Sequence, residues 1–308
     1  MKLGMFGLGK MGANMALRLM SGGHEVMGWS RSEGTVAEAH ERGLPATTSV
    51  EEAIAALDEP RIAWLMVPAG GPVDVMIEQL APMLDDGDII VDGGNSRYSD
   101  TVRRAAELAA RGLEMLDVGT SGGVWGLTEG YALMIGGRPD TVEYLRPIFE
   151  CLAPAPDRGW GHTGPSGSGH FVKMVHNGIE YGIMQAYAEG FAIMKRKQQF
   201  GLDLHQVAEV WRFGSVIRSW LLDLLADALE DDQELRDIAP WVSDSGEGRW
   251  TVAEAIDLDQ SAPVITLALL QRLASRDGER YADRLLAVMR NQFGGHAIRS
   301  AEEEPGDG

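Results

Sequence analysis

Lys2 to Phe6 reads as a short apolar strand that runs straight into Gly7-Leu8-Gly9-Lys10-Met11-Gly12, and a helical pattern follows through Leu19. A strand, a turn with glycine at its first, third and sixth places, and a helix leave few folds open. The first glycine permits the tight turn, the second lets a pyrophosphate approach the backbone, and the third lets the helix pack on the strand. The helix N-terminus adds free N–H groups and the positive end of a dipole for the phosphates. This is the start of a dinucleotide-binding unit.

The following segments alternate in the way such a unit requires. The second strand spans Glu25 to Trp29 and ends in Ser30-Arg31-Ser32. A site for NAD usually places an acidic residue there, for the ribose 2′-hydroxyl, whereas an arginine between two hydroxyls suits a 2′-phosphate. NADP is therefore favoured over NAD. Helix is expected at Val50–Leu57, strand at Arg61–Val67, helix at Val73–Met83, strand at Asp88–Val91, helix at Asp100–Arg111 and strand at Leu113–Asp117. Tyr131–Gly136 reads as strand, Asp140–Phe149 as helix and Ala153–Trp160 as an irregular strand. Alternation of this kind builds a mostly parallel sheet, with ligands beyond the carboxyl ends of its strands. Val67, Pro68 and Ala69 fall at one such end and Asn95 at another, within Asp92-Gly93-Gly94-Asn95-Ser96. Gly119 to Gly123 reads as a small-residue loop whose N–H groups suit a carboxylate or phosphate.

Gly164 to Lys197 opens on a glycine and serine turn and has no proline after Pro165, which favours one long helix. Lys173, His176, Asn177 and Glu180 lie at i, i+3, i+4 and i+7 and so share one face. A lysine, an imidazole, an amide and a carboxylate make a poor core stripe. Gly167, Gly169 and Gly178 each cost a helix about 1 kcal/mol relative to alanine. They are better explained where a ligand or another backbone comes close. Beyond this helix only helical patterns follow: Leu204–Trp211, Ser219–Leu229, Val252–Leu258, Pro263–Ser275 and Tyr281–Arg290. A glycine-rich loop, Ser243 to Thr251, lies among them.

The expected fold is an α/β Rossmann-type N-terminal domain with a mostly parallel sheet over residues 1–163. An all-α C-terminal domain follows over 164–299, with a disordered acidic tail at 300–308. A net charge of −19 argues against a nucleic-acid surface, and an anionic small substrate needs a local pocket of Arg and Lys. Lysine supplies five of the 27 basic residues, a bias that fits a salty medium and codon usage equally. No apolar run reaches membrane-spanning length. Cys151 is the single cysteine, so an intrachain disulfide is excluded, and a cytoplasmic protein is expected. His162, His170 and His176 lack carboxylate or thiol partners at ligand spacing, so no metal is expected.

The segments GLGKMG at 7–12, DGGNS at 92–96, TSGG at 120–123, KMVHNGIEYG at 173–182, GRWT at 248–251 and RNQFGGH at 290–296 together resemble the decarboxylating 6-phosphogluconate dehydrogenases. The likeness is to the shorter form of that enzyme, within the β-hydroxyacid dehydrogenase superfamily, and runs from Met1 to about Arg299. It implies that Lys173 is the general base for the 3-hydroxyl and Glu180 the acid that protonates C1 of the product. His176 and Asn177 would hold substrate hydroxyls and carboxylate. Ser121, Gly122 and Gly123 would bind the sugar-acid end, with Asn95 between cofactor and substrate. Tyr181, Arg272 and Arg290 would take the phosphate, with His296 also at the substrate. The terminal Arg290 and His296 would reach the partner's site in a homodimer or higher even oligomer.

Two departures accompany the resemblance. The long form carries a lysine ahead of its GKWT-like loop that also touches the phosphate. Here the loop is shorter and Arg249 is its one basic residue, so that role is not transferred. Arg276 lies near Arg272, which leaves the alignment of the two open. The runner-up is a non-decarboxylating β-hydroxyacid dehydrogenase, such as one for 3-hydroxyisobutyrate. It accounts for Lys173 and Asn177 but has no need of His176, Glu180, Tyr181 or the terminal RNQFGGH. A non-catalytic NADP-binding regulator would have no need of the helix stripe.

Overall fold

The structure, a computed structural model, describes residues 1–295 together with Ala297 and Ile298. Along the chain the strands and helices are β1 (Lys2–Phe6), α1 (Lys10–Ser21), β2 (Glu25–Trp29), α2 (Glu33–Glu41), β3 (Ala46–Thr47), α3 (Val50–Ala55), β4 (Ile62–Leu65), α4 (Gly71–Leu80), β5 (Ile89–Asp92), α5 (Tyr98–Ala109) and β6 (Glu114–Ser121). They continue with α6 (Gly126–Glu129), β7 (Ala132–Gly136), α7 (Pro139–Tyr144), α8 (Arg146–Leu152), β8 (Trp160–Gly164) and α9 (Ser168–Arg196). Among the described residues helices alone follow: α10 (Leu204–Arg212), α11 (Trp220–Asp231), α12 (Glu247–Asp257), α13 (Pro263–Ala274) and α14 (Tyr281–Gly294).

Packing divides the chain into two units. The first holds Met1–Glu180 with Gly246–Ser261, and the second Tyr181–Ser245 with the described residues from Ala262 onward. Helix α9 therefore begins in one and ends in the other.

The first unit is built on an eight-stranded sheet in the order β3-β2-β1-β4-β5-β6-β7-β8. Every pairing is parallel except that of β6 with β7. Side chains alternate across the sheet, so Leu3, Met5, Ile62, Trp64, Ile89 and Val91 face one core while Phe6, Ala63, Leu65 and Ile90 face another. Met15, Leu19, Phe149 and Leu152 of α1 and α8 cover the first face. Val73, Met76 and Leu108 of α4 and α5 cover the second. A parallel sheet covered on both sides reads as continuous apolar runs, as β1, β4 and β5 do.

Several expected boundaries shift. Pro147 divides the expected helix 140–149 into α7 and α8. The strand expected at 153–160 lies instead at Trp160–Gly164, because Pro154 and Pro156 cannot donate to a sheet ladder. Gly119 to Ser121, read as loop, are the end of β6, paired to β7. The loop expected to run to Thr251 ends at Gly246, whose φ of +105° starts α12. Helices α2 and α6 and strand β3 were not expected.

In the second unit Phe191, Leu204, Ala208, Leu222, Ala226 and Leu229 form a core for α10, α11 and the end of α9. Ser219 and Asp203 cap α11 and α10 through bonds of 3.1 and 3.0 Å to the backbone N–H groups of Leu222 and Gln206.

Candidate active site

The site of the first unit depends on how closely α9 lies against β6 and β7. A Cβ on Gly119 would sit 2.4 Å from the Lys173 Cβ and 2.7 Å from the Gly169 carbonyl oxygen. A Cβ on Gly169 would sit 2.4 Å from the Met134 carbonyl oxygen. A Cβ on Gly136 would sit 2.5 Å from the Asp117 carboxylate. Glycine at 119 and 169 lets helix backbone rest on sheet backbone, and glycine at 136 leaves room for the Asp117 carboxylate. Asp117, fully buried on β6, completes the junction by accepting the Gly167 N–H at 2.7 Å and the His170 N–H at 2.9 Å. A remote carboxylate thus caps α9 and meets the positive end of its dipole. The His170 ring is buried beside Thr101, with 2.7 Å between Nδ1 and Oγ1.

Helix α12 approaches α9 one turn further along. A Cβ on Gly178 would sit 2.6 Å from the Thr251 methyl, and Thr251 Oγ1 donates toward the Met174 carbonyl at 2.8 Å. Between these two anchoring points lies the stripe. Lys173 is 6% exposed and Asn177 9%, while His176 and Glu180 are half-buried. His176 Nδ1 stands 3.5 Å from Lys173 Nζ, 3.1 Å from Asn177 Oδ1 and 3.9 Å from Glu180 Oε2. Nδ1 accepts from Lys173 or donates to Asn177, not both, and in the second tautomer Lys173 keeps its lone pair free. Burial pushes the Lys173 ammonium below its ordinary value, and the Glu180 and Glu247 carboxylates oppose that shift. A buried amine tuned toward neutrality, with a carboxylate two turns away, can exchange protons at two points of a bound molecule.

A cavity of about 1260 Å³ opens at the carboxyl ends of β1, β2 and β4. Gly7, Leu8, Gly9, Lys10, Met11, Gly12, Ser30, Arg31, Val67 and Pro68 line it. Gly7 takes φ +113°, and a Cβ there would meet the Met66 carbonyl at 2.4 Å. A Cβ on Gly12 would lie 2.0 Å from the Gly7 carbonyl. A Cβ on Gly9 would meet nothing within 4 Å, so the second glycine faces open space where a phosphate fits. Ser32, Ala69 and Asn95 are not part of this lining. Ser32 caps α2 instead, accepting the Thr35 N–H at 3.4 Å. Asp92 holds the turn after β5 by accepting from Gly94 N at 3.1 Å and Ser96 Oγ at 2.6 Å, which leaves Asn95 exposed. Ser121, Gly122 and Gly123 follow at the end of β6, with Gly122 at φ +138°. Tyr131 fills the space beneath them, its phenol pushed up to about 12 by desolvation.

Sequence reasoning missed Asp117, Thr251, Glu247, Tyr131 and the cavity residues Thr48 and Glu51. The carboxylate of Asp117 was visible at a strand end, but nothing local announces a partner fifty residues away. Glu247 stood beside the GRWT motif and was passed over.

In the second unit Tyr181 is buried and Arg272 stacks on its ring at 3.6 Å. Arg272 Nη1 donates to the Ser243 carbonyl at 3.0 Å, and Tyr181 Oη lies 3.4 Å from Ser245 Oγ. Arg276 is placed otherwise, 3.6 Å from the Asp244 carboxylate and over the Trp241 ring. Arg290 lies exposed on α14. His296 lies outside the described residues.

Residues 2–161 match the family model described as the NAD binding domain of 6-phosphogluconate dehydrogenase, and residues 169–304 match its C-terminal domain. The NAD(+)-dependent, decarboxylating 6-phosphogluconate dehydrogenase of Haloferax volcanii is 42% identical over 98% of this chain and 100% of its own. The NADP(+)-dependent, decarboxylating enzyme of Bacillus subtilis is 37% identical over 89% of this chain, which spans 61% of that longer protein. The solved structure of Plasmodium falciparum 6-phosphogluconate dehydrogenase, described with NADP+ and with 6-phosphogluconate, superposes with a TM-score of 0.83 at 30% identity. That match covers 99% of this chain and 67% of the other. A glycine turn opening on a dinucleotide-sized cavity, a buried lysine with a carboxylate two turns along one helix, and these likenesses agree: the chain belongs to the 6-phosphogluconate dehydrogenase family.

Proposed function

We propose that this chain oxidatively decarboxylates 6-phospho-D-gluconate to ribulose 5-phosphate and carbon dioxide, with reduction of NADP or NAD. The observation that carries the reading is the buried Lys173, held beside His176 and Asn177 with Glu180 two turns away. Gly7 to Gly12, Ser30, Arg31, Val67 and Pro68 fit a dinucleotide, which when bound supplies the hydride acceptor. Neutral Lys173 takes the proton of the C3 hydroxyl as C3 is oxidised to a ketone. The new ketone lies β to the C1 carboxylate, so the C1–C2 bond breaks with its electron pair passing toward the C3 oxygen. The Lys173 ammonium returns its proton to that oxygen and steadies the enol. Glu180 then protonates the carbon from which carbon dioxide left while Lys173 takes the enol proton again, which leaves the ketone. His176 and Asn177 hold hydroxyls and carboxylate, as do Ser121 to Gly123, with Asn95 beside the cofactor.

Arg272, stacked on Tyr181, takes the phosphate, joined by Arg290 and His296 from a second copy of the chain. Exposed Val264, Leu267 and Leu270 form an apolar face on α13, and Leu285, Leu286 and Met289 form another on α14, as a dimer would require. Residues 1–163 then serve the cofactor and 164–299 the substrate and the partner. Arg31 favours NADP. The lone free Cys151 fits a reducing cytoplasm, and no helix among the described residues is long and apolar enough to cross a membrane.

The test is reduced-nicotinamide formation from 6-phosphogluconate with NADP and NAD in parallel while trapping carbon dioxide. One carbon dioxide per reduced cofactor is expected. Turnover of an unphosphorylated β-hydroxyacid without carbon dioxide would transfer the chain to the non-decarboxylating enzymes.

A further inference from the structure

Glu247 is a buried carboxylate beside the stripe that the reaction above leaves unused. It is the first residue of α12 and only 4% exposed, and its Oε2 has no hydrogen-bond partner among the described residues. An ionised carboxylate so placed is costly unless a positive charge answers it. A glutamate in the first turn of a helix ordinarily answers the helix dipole, but an exposed side chain does that equally well and needs no burial. The answering charge here is Lys173, whose ammonium is favoured by Glu247 as it is by Glu180.

The backbone keeps Glu247 close to Lys173 without a direct ion pair among the described residues. Thr251 Oγ1 lies 2.8 Å from the Met174 carbonyl and 2.8 Å from the Glu247 carbonyl, and so ties the first turn of α12 to the residue after the lysine. Gly178 lets Thr251 come that close. The groups facing Lys173 are His176 and Glu180 from its own helix and Glu247 from α12. On the β6 side its neighbour is Gly119, and the nearby Asp117 is engaged with two backbone N–H groups.

We infer that Glu247 is a positioning residue for the base: its charge, placed near Lys173 by α12, stabilises the ammonium that forms when the substrate's C3 hydroxyl gives up its proton. It takes no proton itself and touches no substrate. The proton passes from the hydroxyl to Nζ and later back to the C3 oxygen, and the Glu247 charge lets Nζ hold it in between. This rests on Lys173 being the base of the proposed reaction.

The deciding experiment is a pH titration of Lys173 Nζ by NMR in the full-length protein labelled with 13C and 15N lysine. The peak is assigned by its loss in Lys173→Met. In Glu247→Gln the midpoint is expected to fall by about one pH unit, since an opposite charge has been removed. The acid limb of kcat/KM for 6-phosphogluconate should move down with it, with kcat lower and KM for the nicotinamide cofactor unchanged. Glu247→Asp should restore part of the shift, and it serves alone if the glutamine variant does not fold. An unmoved midpoint in a folded variant overturns the inference, whatever happens to the rate. A moved midpoint in a protein that does not turn over 6-phosphogluconate leaves the inference standing and removes the substrate.

Discussion

A lysine kept inside a protein gives up the hydration of its ammonium, and Lys173 does so in a pocket where two carboxylates draw its proton back. Lys173→Met should lower kcat by about 10²- to 10⁴-fold while the affinity for the dinucleotide stays. Steady-state rates alongside cofactor titration separate the two. Because folding lowers this pKa, the unfolded chain binds more protons between the folded value and 10.5. Over that window Lys173 therefore contributes stability that increases as pH rises. The stability of the wild type minus that of Lys173→Met should climb with pH toward 10.5, as chemical denaturation at a series of pH values would show. Glu180→Gln should slow turnover by about a hundredfold, since a general acid at the product carbon is lost. An equal rate would remove Glu180 from the chemistry.

At the scale of elements, the junction of β6 and α9 decides where Lys173 stands. Asp117→Ala removes the acceptor of two buried N–H groups and should cost about 2 kcal/mol of stability, measurable by denaturant unfolding. Gly119→Ala places a methyl against the Gly169 carbonyl and the Lys173 Cβ, a case of overpacking worth about 1–3 kcal/mol. It should lower kcat far more than it raises KM for the cofactor, because the glycine turn at Gly7 is untouched. Much of this scaffold was legible from the chain. An unbroken stretch without proline announces α9, and apolar runs between glycine turns announce β1, β4 and β5. The parts that were not legible have physical causes. Pro147 breaks a helix whose apolar pattern continues past it. Gly246 starts a helix from a left-handed conformation that looks like loop in the sequence. The cap of α9 comes from a residue that only folding brings near. The four-residue stripe could be read because helical spacing alone collects it, whereas Glu247 comes near Lys173 only through tertiary structure.

For the whole molecule, the exposed apolar faces of α13 and α14 are where the proposed dimer would close. Leu267→Glu should shift the protein from dimer toward monomer in sedimentation and reduce activity with it, since Arg290 and His296 are proposed to act across the interface. The relatives also differ greatly in length, this chain spanning 61% of the Bacillus subtilis enzyme, so the family tolerates added segments. It cannot add them everywhere. Seven helical steps separate Lys173 from Glu180, a rise of about 10.5 Å over nearly two full turns. In the proposed reaction that interval sets the face from which both side chains converge on one substrate. One inserted residue would swing the acid about 100° around the helix axis and out of register with the base, though every side chain named here would still be present.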